Sequence, residues 1–340
     1  MSDFISRQRL DYIDAAKAVA IISVVIGHTL LWNVYGKQVW DKSTLMGIVC
    51  TYHNFLFMFL SGMVSVTVID KTRILPDILK RFRCLLIPAC VVVITFCILT
   101  SADITHFIQD PMKWGYWYLF VLFELYLFSY PFAVIPTRYM KWVYIAIVPI
   151  WIYAYRHTYI FPPEIDNSFE VNLLVTYFPY FFAGGVVKRH KLHDHLFSLP
   201  VLVVCIAVTA LQGFIYNTAG HYLIEYVITF AEIIGIVTLC KLLVSPGRCR
   251  WLTYIGRSTL FIYLFHYIPI ELMKPPVAQD WFAENGNLGL DILASIVPTL
   301  IAIVFSILVK WLFERSPFLM KWIFNAPNTV TASQLRNKQK

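Results

Sequence analysis

Residues 290–309 read LDILASIVPTLIAIVFSILV, a stretch of predominantly apolar side chains. Twenty residues in an α-helix rise about 30 Å, which is the thickness of the hydrocarbon core of a bilayer. A similar run occupies 196–214. Because both runs are long and do not alternate between apolar and polar residues, they predict transmembrane helices and not the short strands of a β-barrel.

The composition of the whole chain agrees with this prediction. Of its 340 residues, 59% are hydrophobic and 14% are charged, whereas soluble domains carry about 45–50% apolar and about 25% charged residues. A net charge of +8 in a soluble protein would suggest nucleic acid or an acidic partner. In so apolar a chain we expect that charge to lie in loops beside the membrane, and we predict the lipid bilayer, and no nucleic acid, as a partner.

The apolar runs predict an all-α, polytopic integral membrane bundle of about ten transmembrane helices. Lys and Arg are concentrated in the loops that lie inside if the N-terminus is cytoplasmic, so the positive-inside rule places both termini in the cytoplasm. We predict one membrane domain over residues 1–324 and a short polar cytoplasmic tail over 325–340. The predicted spans are 14–35, 46–69, 82–101, 115–135, 141–155, 170–187, 197–216, 222–244, 257–273 and 290–313.

The spans contain few ionisable side chains, and each is a functional hypothesis because charge is costly in lipid. Lys17 and His28 lie 11 residues apart in the first span. In a helix this is about three turns, or roughly 16 Å, and it places both side chains on one face. A histidine takes or gives a proton near neutral pH. Two other roles stay open: Lys17 snorkels to the cytoplasmic surface, and His28 bonds to a neighbouring helix.

Further candidates lie at the third and fourth predicted spans. Lys80, Arg81 and Arg83 open the third span, where they either anchor the helix at the cytoplasmic surface or bind phosphate. Glu124 lies among aromatic residues and either pairs with a cation or histidine or orients a catalytic histidine. Trp117 belongs to an interfacial aromatic belt or stacks on a sugar ring.

Two histidines and two glutamates in the spans are further candidates. His53 and His266 are candidates for orienting a reacting group, although His266 taken alone is more simply read as structural. Glu225 and Glu232 are seven residues apart and share one face of the eighth predicted span. Two acids on one face suit a cation pathway or counter-charges to basic residues elsewhere.

Residues 12–28, YIDAAKAVAIISVVIGH, resemble the signature of the membrane acyltransferase-3 family, in which a basic residue, ten further residues and a histidine follow one another. Similar elements occur in family order at 52–62, 80–88, 117–119, 255–266 and 313–317. The wording DAAK at 14–17 is closest to the fucose 4-O-acetylase-like branch of bacterial sugar and polysaccharide O-acetyltransferases. Asn54 and Phe55 depart from the usual Met-Pro of the second helix.

The resemblance implies transfer of an acetyl group from cytoplasmic acetyl-CoA to a hydroxyl of a cell-surface or lipid-linked carbohydrate. It implies no metal and a location in a bacterial inner membrane. Three groups of residues then have expected roles. The catalytic group is His28, Lys17 and Glu124; the acyl-CoA-binding group is Lys80, Arg81 and Arg83; the acceptor or orienting group is His53, Trp117 and His266.

An alternative function from another class is a secondary transporter or a lipid-linked glycan flippase. His28, Glu225 and Glu232 would then be proton relays. The sequence has no evident inverted repeat and no paired Gly/Pro-broken helices, which many transporters have. A structural membrane protein is a third interpretation, but it explains neither the spacing of Lys17 and His28 nor the order of the motifs.

Overall fold

The computed structural model describes residues 11–36, 42–65, 67–100, 103–157, 161–212, 221–244, 249–273 and 279–324. Within these ranges the secondary structure is helical and contains no strand, which confirms the predicted all-α class. The predicted tail at 325–340 lies outside the described residues, so it stays a prediction.

The α-helices vary from single turns to 27 residues. In chain order they are α1 Asp11–Thr29, α2 Thr44–Cys50, α3 His53–Val64, α4 Ile74–Thr100, α5 Ile104–Gln109, α6 Trp117–Ala133, α7 Met140–Arg156, α8 Pro163–Phe169, α9 Val171–Arg189, α10 His193–Leu196, α11 Leu199–Ala210, α12 His221–Leu243, α13 Arg250–Arg257, α14 Thr259–Phe265, α15 Tyr267–Leu272, α16 Gln279–Asn285, α17 Leu288–Glu314 and α18 Pro317–Trp322.

Each predicted span overlaps at least one of these helices, but the helices differ in their ability to cross a bilayer. Five helical segments in the described part of the chain are long and apolar enough to do so. The number rises to seven if each of two bent pairs is one span: α6 with α7, bent by 95°, and α8 with α9, bent by 45°. The predicted span 257–273 consists of two short helices, α14 and α15, which meet at His266.

Helix α17 has the inverted polarity expected of a helix in lipid. Its buried face carries small and polar residues, and its exposed face carries large apolar ones. The buried residues include Asp291, Ser295, Thr299, Ala302 and Ser306, and the exposed ones include Leu293, Val297, Leu300 and Val304. A helix in water would bury the second set, whereas lipid solvates it and leaves small and polar residues for contacts between helices.

The chain forms two compact units. Unit 1 comprises Met1–Leu60 and Leu192–Phe305, and unit 2 comprises Ser61–Lys191 and Ser306–Lys340. In unit 1, α1 makes its most extensive contact with α13 and also packs against α12. In unit 2, α6 packs against α4 and α9.

The contact between α1 and α13 depends on Gly256. A Cβ atom at this position would lie 1.7 Å from the carbonyl oxygen of Asp14, so a larger residue would push the two backbones apart. The next residue, Arg257, bonds through Nε to Asp14 Oδ2 at 3.0 Å and through a terminal nitrogen to Asp11 Oδ1 at 2.9 Å. Close packing and these ion pairs together fix the start of α1.

Candidate active site

His28 lies in the last turn of α1, directly before a π-helical turn at Leu30–Val34. Its half-buried ring contacts the first residue of α15, Tyr267. The Tyr267 hydroxyl oxygen is 2.9 Å from Nε2 of His28 and 3.4 Å from Nδ1. Single π-turns within helices are frequent at functional sites, and this one begins two residues beyond the histidine.

His266 lies beside this pair and is fully buried. Its Nδ1 is 2.9 Å from the carbonyl oxygens of both Ile262 and Tyr263. Because a carbonyl oxygen only accepts hydrogen bonds, Nδ1 carries the proton of the neutral ring, and Nε2 is left with its lone pair. This Nε2 has no hydrogen-bond partner among the described residues.

The three rings form one compact cluster in unit 1. The ring centroids of His28 and His266 are 5.2 Å apart, those of His28 and Tyr267 are 4.7 Å apart, and those of His266 and Tyr267 are 4.2 Å apart. In the described part of the chain, the nitrogens of His28 face the Tyr267 hydroxyl, whereas Nδ1 of His266 faces backbone carbonyls. The His28 imidazole is suited to accept and return a proton.

Lys17 and His28 both belong to α1, as the spacing predicted. Lys17 is half-buried. Since the helix is continuous between them, they are separated by about 16 Å along its axis. The roles expected for Lys17 stay predictions.

His53 opens α3 in unit 1 and directs Nδ1 at the carbonyl oxygen of Val49. The preceding residue, Tyr52, shares a 2.8 Å hydrogen bond with Ser23 of α1. This bond joins the segment before α3 to α1.

The sequence predicted that three basic residues open the third span, but α4 begins at Ile74 and carries Lys80, Arg81 and Arg83 in its second and third turns. In unit 2, these three residues differ in their surroundings. Arg81 bonds through Nε to Asp77 Oδ2 at 2.8 Å and to the Tyr130 hydroxyl at 3.2 Å. Its guanidinium carbon also lies 3.7 Å from the ring centroid of Tyr126. Lys80 and Arg83 are exposed. The side chain of Arg81 therefore ties α4 to α6, whereas Lys80 and Arg83 face outward.

Trp117 and Glu124, also in unit 2, lie two turns apart on α6. The Trp117 ring stacks on Tyr177 of α9, with centroids 5.2 Å apart and planes inclined by 21°. One carboxylate oxygen of Glu124 is buried without a hydrogen-bond partner among the described residues. Glu124 interacts electrostatically with a buried ion pair, Lys113–Glu170, whose atoms are 2.9 Å apart.

The comparison with protein families connects these observations. Residues 10–315 match the acyltransferase 3 family, whose description is "acyltransferase domain". The chain belongs to this family. No curated protein and no solved structure gives a significant match. Together with the apolar helices, family membership identifies a multi-pass membrane acyltransferase.

The segment 255–267, which includes the motif at 255–266, contacts α1 near both of its ends. Gly256 and Arg257 hold the start of α1, and His266 and Tyr267 contact His28 in its last turn. One short segment of the chain thus supports both ends of α1.

Sequence reasoning missed a second set of contacts, which holds the chain just beyond His28. Asp291 is fully buried and accepts hydrogen bonds from the Tyr35 hydroxyl, from Ser43 Oγ at 2.8 Å and from the amide of Leu45 at 3.0 Å. The available signal was a single carboxylate in the apolar run 290–309. Within the same region, Asn33 of the π-turn donates to the carbonyl of Ile270 at 2.9 Å, which holds the π-turn against α15.

The two acids of the eighth predicted span have different environments. Glu225 is exposed, and Glu232 is half-buried with one carboxylate oxygen that lacks a hydrogen-bond partner among the described residues. Glu225 and Glu232 both lie in α12, as predicted. Because one of them is exposed at the surface of the chain, the two do not form a shared buried acidic pair.

Proposed function

We propose that this membrane acyltransferase transfers an acetyl group from cytoplasmic acetyl-CoA to a hydroxyl group of a cell-surface or lipid-linked carbohydrate. The observation that carries the proposal is the position of His28 at the end of α1, in contact with Tyr267 and beside His266, in a chain of the acyltransferase 3 family. Acyl transfer to a hydroxyl requires a base for the hydroxyl proton, and an imidazole provides one near neutral pH.

The proposed topology has ten spans, both termini in the cytoplasm and a location in a bacterial inner membrane. The concentration of Lys and Arg in alternate loops supports it. In this topology the start of α4 faces the cytoplasm, where acetyl-CoA is available, and His28 lies beyond the middle of the bilayer.

The donor phosphates are proposed to bind the basic residues Lys80, Arg81 and Arg83 in the second and third turns of α4. Lys80 and Arg83 are exposed and lie on one side of the helix, since residues three apart are neighbours on its surface. Arg81 contributes positive charge while its bonds to Asp77 and Tyr130 hold the helix in place. Lys17, at the cytoplasmic end of α1, is proposed to hold a phosphate or the pantetheine arm.

The chemical step follows from the protonation chemistry of imidazole. His28 accepts the proton of the carbohydrate hydroxyl as its oxygen attacks the thioester carbonyl carbon. A C–O bond forms, the C–S bond breaks, and the proton passes to the departing thiolate of coenzyme A. In a covalent variant, a nitrogen of His28 carries the acetyl group between the two substrates.

The remaining residues are proposed to support this step. His53 and Glu124 are proposed to orient the reacting groups, and Trp117 is proposed to present an aromatic face to a sugar ring. Its stacking on Tyr177 supports this role, because the partner ring fixes the plane of the indole.

The proposal is tested with the full chain purified in detergent. Acetyl-CoA binding and turnover by hydrolysis or exchange are measured for wild type, His28→Ala and Arg83→Ala. Arg138→Ala is the matched control, because Arg138 is also an exposed arginine in a loop predicted to be cytoplasmic.

We expect His28→Ala to bind the donor without turnover, Arg83→Ala to lose binding, and Arg138→Ala to resemble wild type. Wild type that binds no acetyl-CoA at millimolar concentration would contradict the donor assignment. Uptake driven by a pH gradient without coenzyme A would then favour the transporter or flippase.

A further inference from the structure

The hydroxyl of Tyr267 contacts both nitrogens of one imidazole. Its oxygen is 2.9 Å from Nε2 and 3.4 Å from Nδ1 of His28. The distance to Nε2 is that of a hydrogen bond, whereas 3.4 Å to Nδ1 is long for one. Tyr267 therefore interacts with His28 chiefly through Nε2.

The backbone at His266 determines where Tyr267 lies. His266 lies between α14 and α15 with right-handed helical backbone angles, and its Nδ1 is held by the carbonyls of Ile262 and Tyr263. Tyr267 is the next residue, and its ring lies 4.2 Å from that of His266, centroid to centroid. The fully buried His266 side chain, with its two backbone contacts, thus fixes the backbone position from which the Tyr267 side chain extends.

We infer that Tyr267 is a positioning residue for His28, held in place by His266. This inference rests on the proposed function, in which His28 gains and loses a proton. A phenolic hydroxyl both donates and accepts hydrogen bonds, so it can donate to neutral His28 and accept from protonated His28. The imidazole ring therefore keeps its position in both states, and little reorganisation is needed during the reaction.

The variant Tyr267→Phe tests this inference because it removes the hydroxyl and keeps the ring. We expect kcat for acetyl-CoA turnover to fall about 10- to 100-fold, as for loss of a hydrogen bond to a group that becomes charged. The KM and the binding constant for acetyl-CoA should not change, because the lost contact supports the reaction and not donor binding. Tyr12→Phe is the matched control. Tyr12 lies in α1, and its buried hydroxyl has no hydrogen-bond partner among the described residues. The kcat of Tyr12→Phe should therefore equal that of wild type.

A double variant distinguishes an effect of Tyr267 on His28 from an effect on the stability of the whole protein. If Tyr267 acts through His28, adding Tyr267→Phe to His28→Ala leaves the residual rate unchanged, since the two residues act as one unit. A further fall in the double variant, or wild-type kcat in Tyr267→Phe, would overturn the inference while leaving the proposed function intact. Lack of acetyl-CoA turnover in wild type itself would instead refute the proposed function.

Discussion

The replacement Gly256→Ala probes the contact that sets the position of α1. A Cβ at residue 256 would lie 1.7 Å from the carbonyl oxygen of Asp14 and 2.5 Å from its carbonyl carbon. Both atoms belong to the backbone of α1, so they cannot rotate away as the end of a side chain does. The two helices must separate by more than about 1 Å before the contact reaches the 3.0 Å that Cβ atoms tolerate.

The expected loss of stability follows from two opposing contributions. Overpacking of this kind costs about 1–3 kcal/mol, and a clash between backbones belongs at the upper end. Alanine in place of glycine within a helix returns about 0.5–1 kcal/mol. We therefore expect a net loss of about 2 kcal/mol. Because α1 carries His28, a displacement of about 1 Å is also expected to lower turnover by about 100-fold.

Thermal unfolding in one detergent and acetyl-CoA turnover are the two measurements. Gly235→Ala, in the middle of α12, is the matched control, because its Cβ would meet Cys205 Cβ at 3.6 Å, an ordinary contact. The control should unfold at the wild-type temperature or slightly above it. The argument is refuted if Gly256→Ala unfolds at the wild-type temperature and keeps its turnover.

Three further changes are predicted to affect stability in different ways. Arg257→Ala removes a bonded partner of buried Asp14 and should lower the free energy of unfolding by about 1–3 kcal/mol. This loss is smaller than for a fully buried ion pair, because the Arg257 side chain is 42% exposed. An unchanged unfolding temperature would contradict this prediction. Asp291→Asn replaces a carboxylate oxygen by an NH2 group that faces donors, so it should cost about 1–3 kcal/mol in the same assay, and Asp291→Ala at least as much. The Lys241 ammonium, which donates a hydrogen bond to Asp194, holds the pKa of this exposed carboxyl below its usual range. Its small stabilising effect is therefore present above the unfolded pKa of about 3.9 and is lost as the pH falls through the lower folded value. His193 lies 3.3 Å from the same carboxyl, and histidine side chains change charge between about pH 5 and 8. Wild type and Asp194→Asn should therefore show parallel unfolding temperatures from about pH 8 to 9, and curves that diverge within this range would show that the Lys241 pair matters more than its exposure indicates.

The local sequence predicted the positions of the helices well and their lengths less well. Helices occur at every predicted span, because an apolar run long enough to cross a bilayer must satisfy its backbone internally. Residues 257–273 show the limit of this reasoning. Their apolar composition predicted one span, but the helical stretch Thr259–Leu272 is shorter than a full span. Within it, the ring of His266 bonds to the backbone of the preceding turn.

The candidate site was predictable in part. The 11-residue spacing of Lys17 and His28 is a property of one helix, and α1 includes both residues. The environment of Arg81 was not predictable, since charge alone does not distinguish it from its exposed neighbours Lys80 and Arg83. Its contacts come from Tyr126 and Tyr130 of another helix.

By itself, the sequence determined the membrane class, the helical content, the family and the helix that carries His28. Each of these depends on composition or on spacing within one segment, where the geometry of the helix relates residue number to position. Only the tertiary structure decided which side chains surround that histidine and hold its helix. Tyr267 lies 239 residues from His28, Arg257 lies 243 residues from Asp14, and Asp291 lies 256 residues from Tyr35. Helical periodicity contains no information about such pairs, because they are set by the packing of one helix against another.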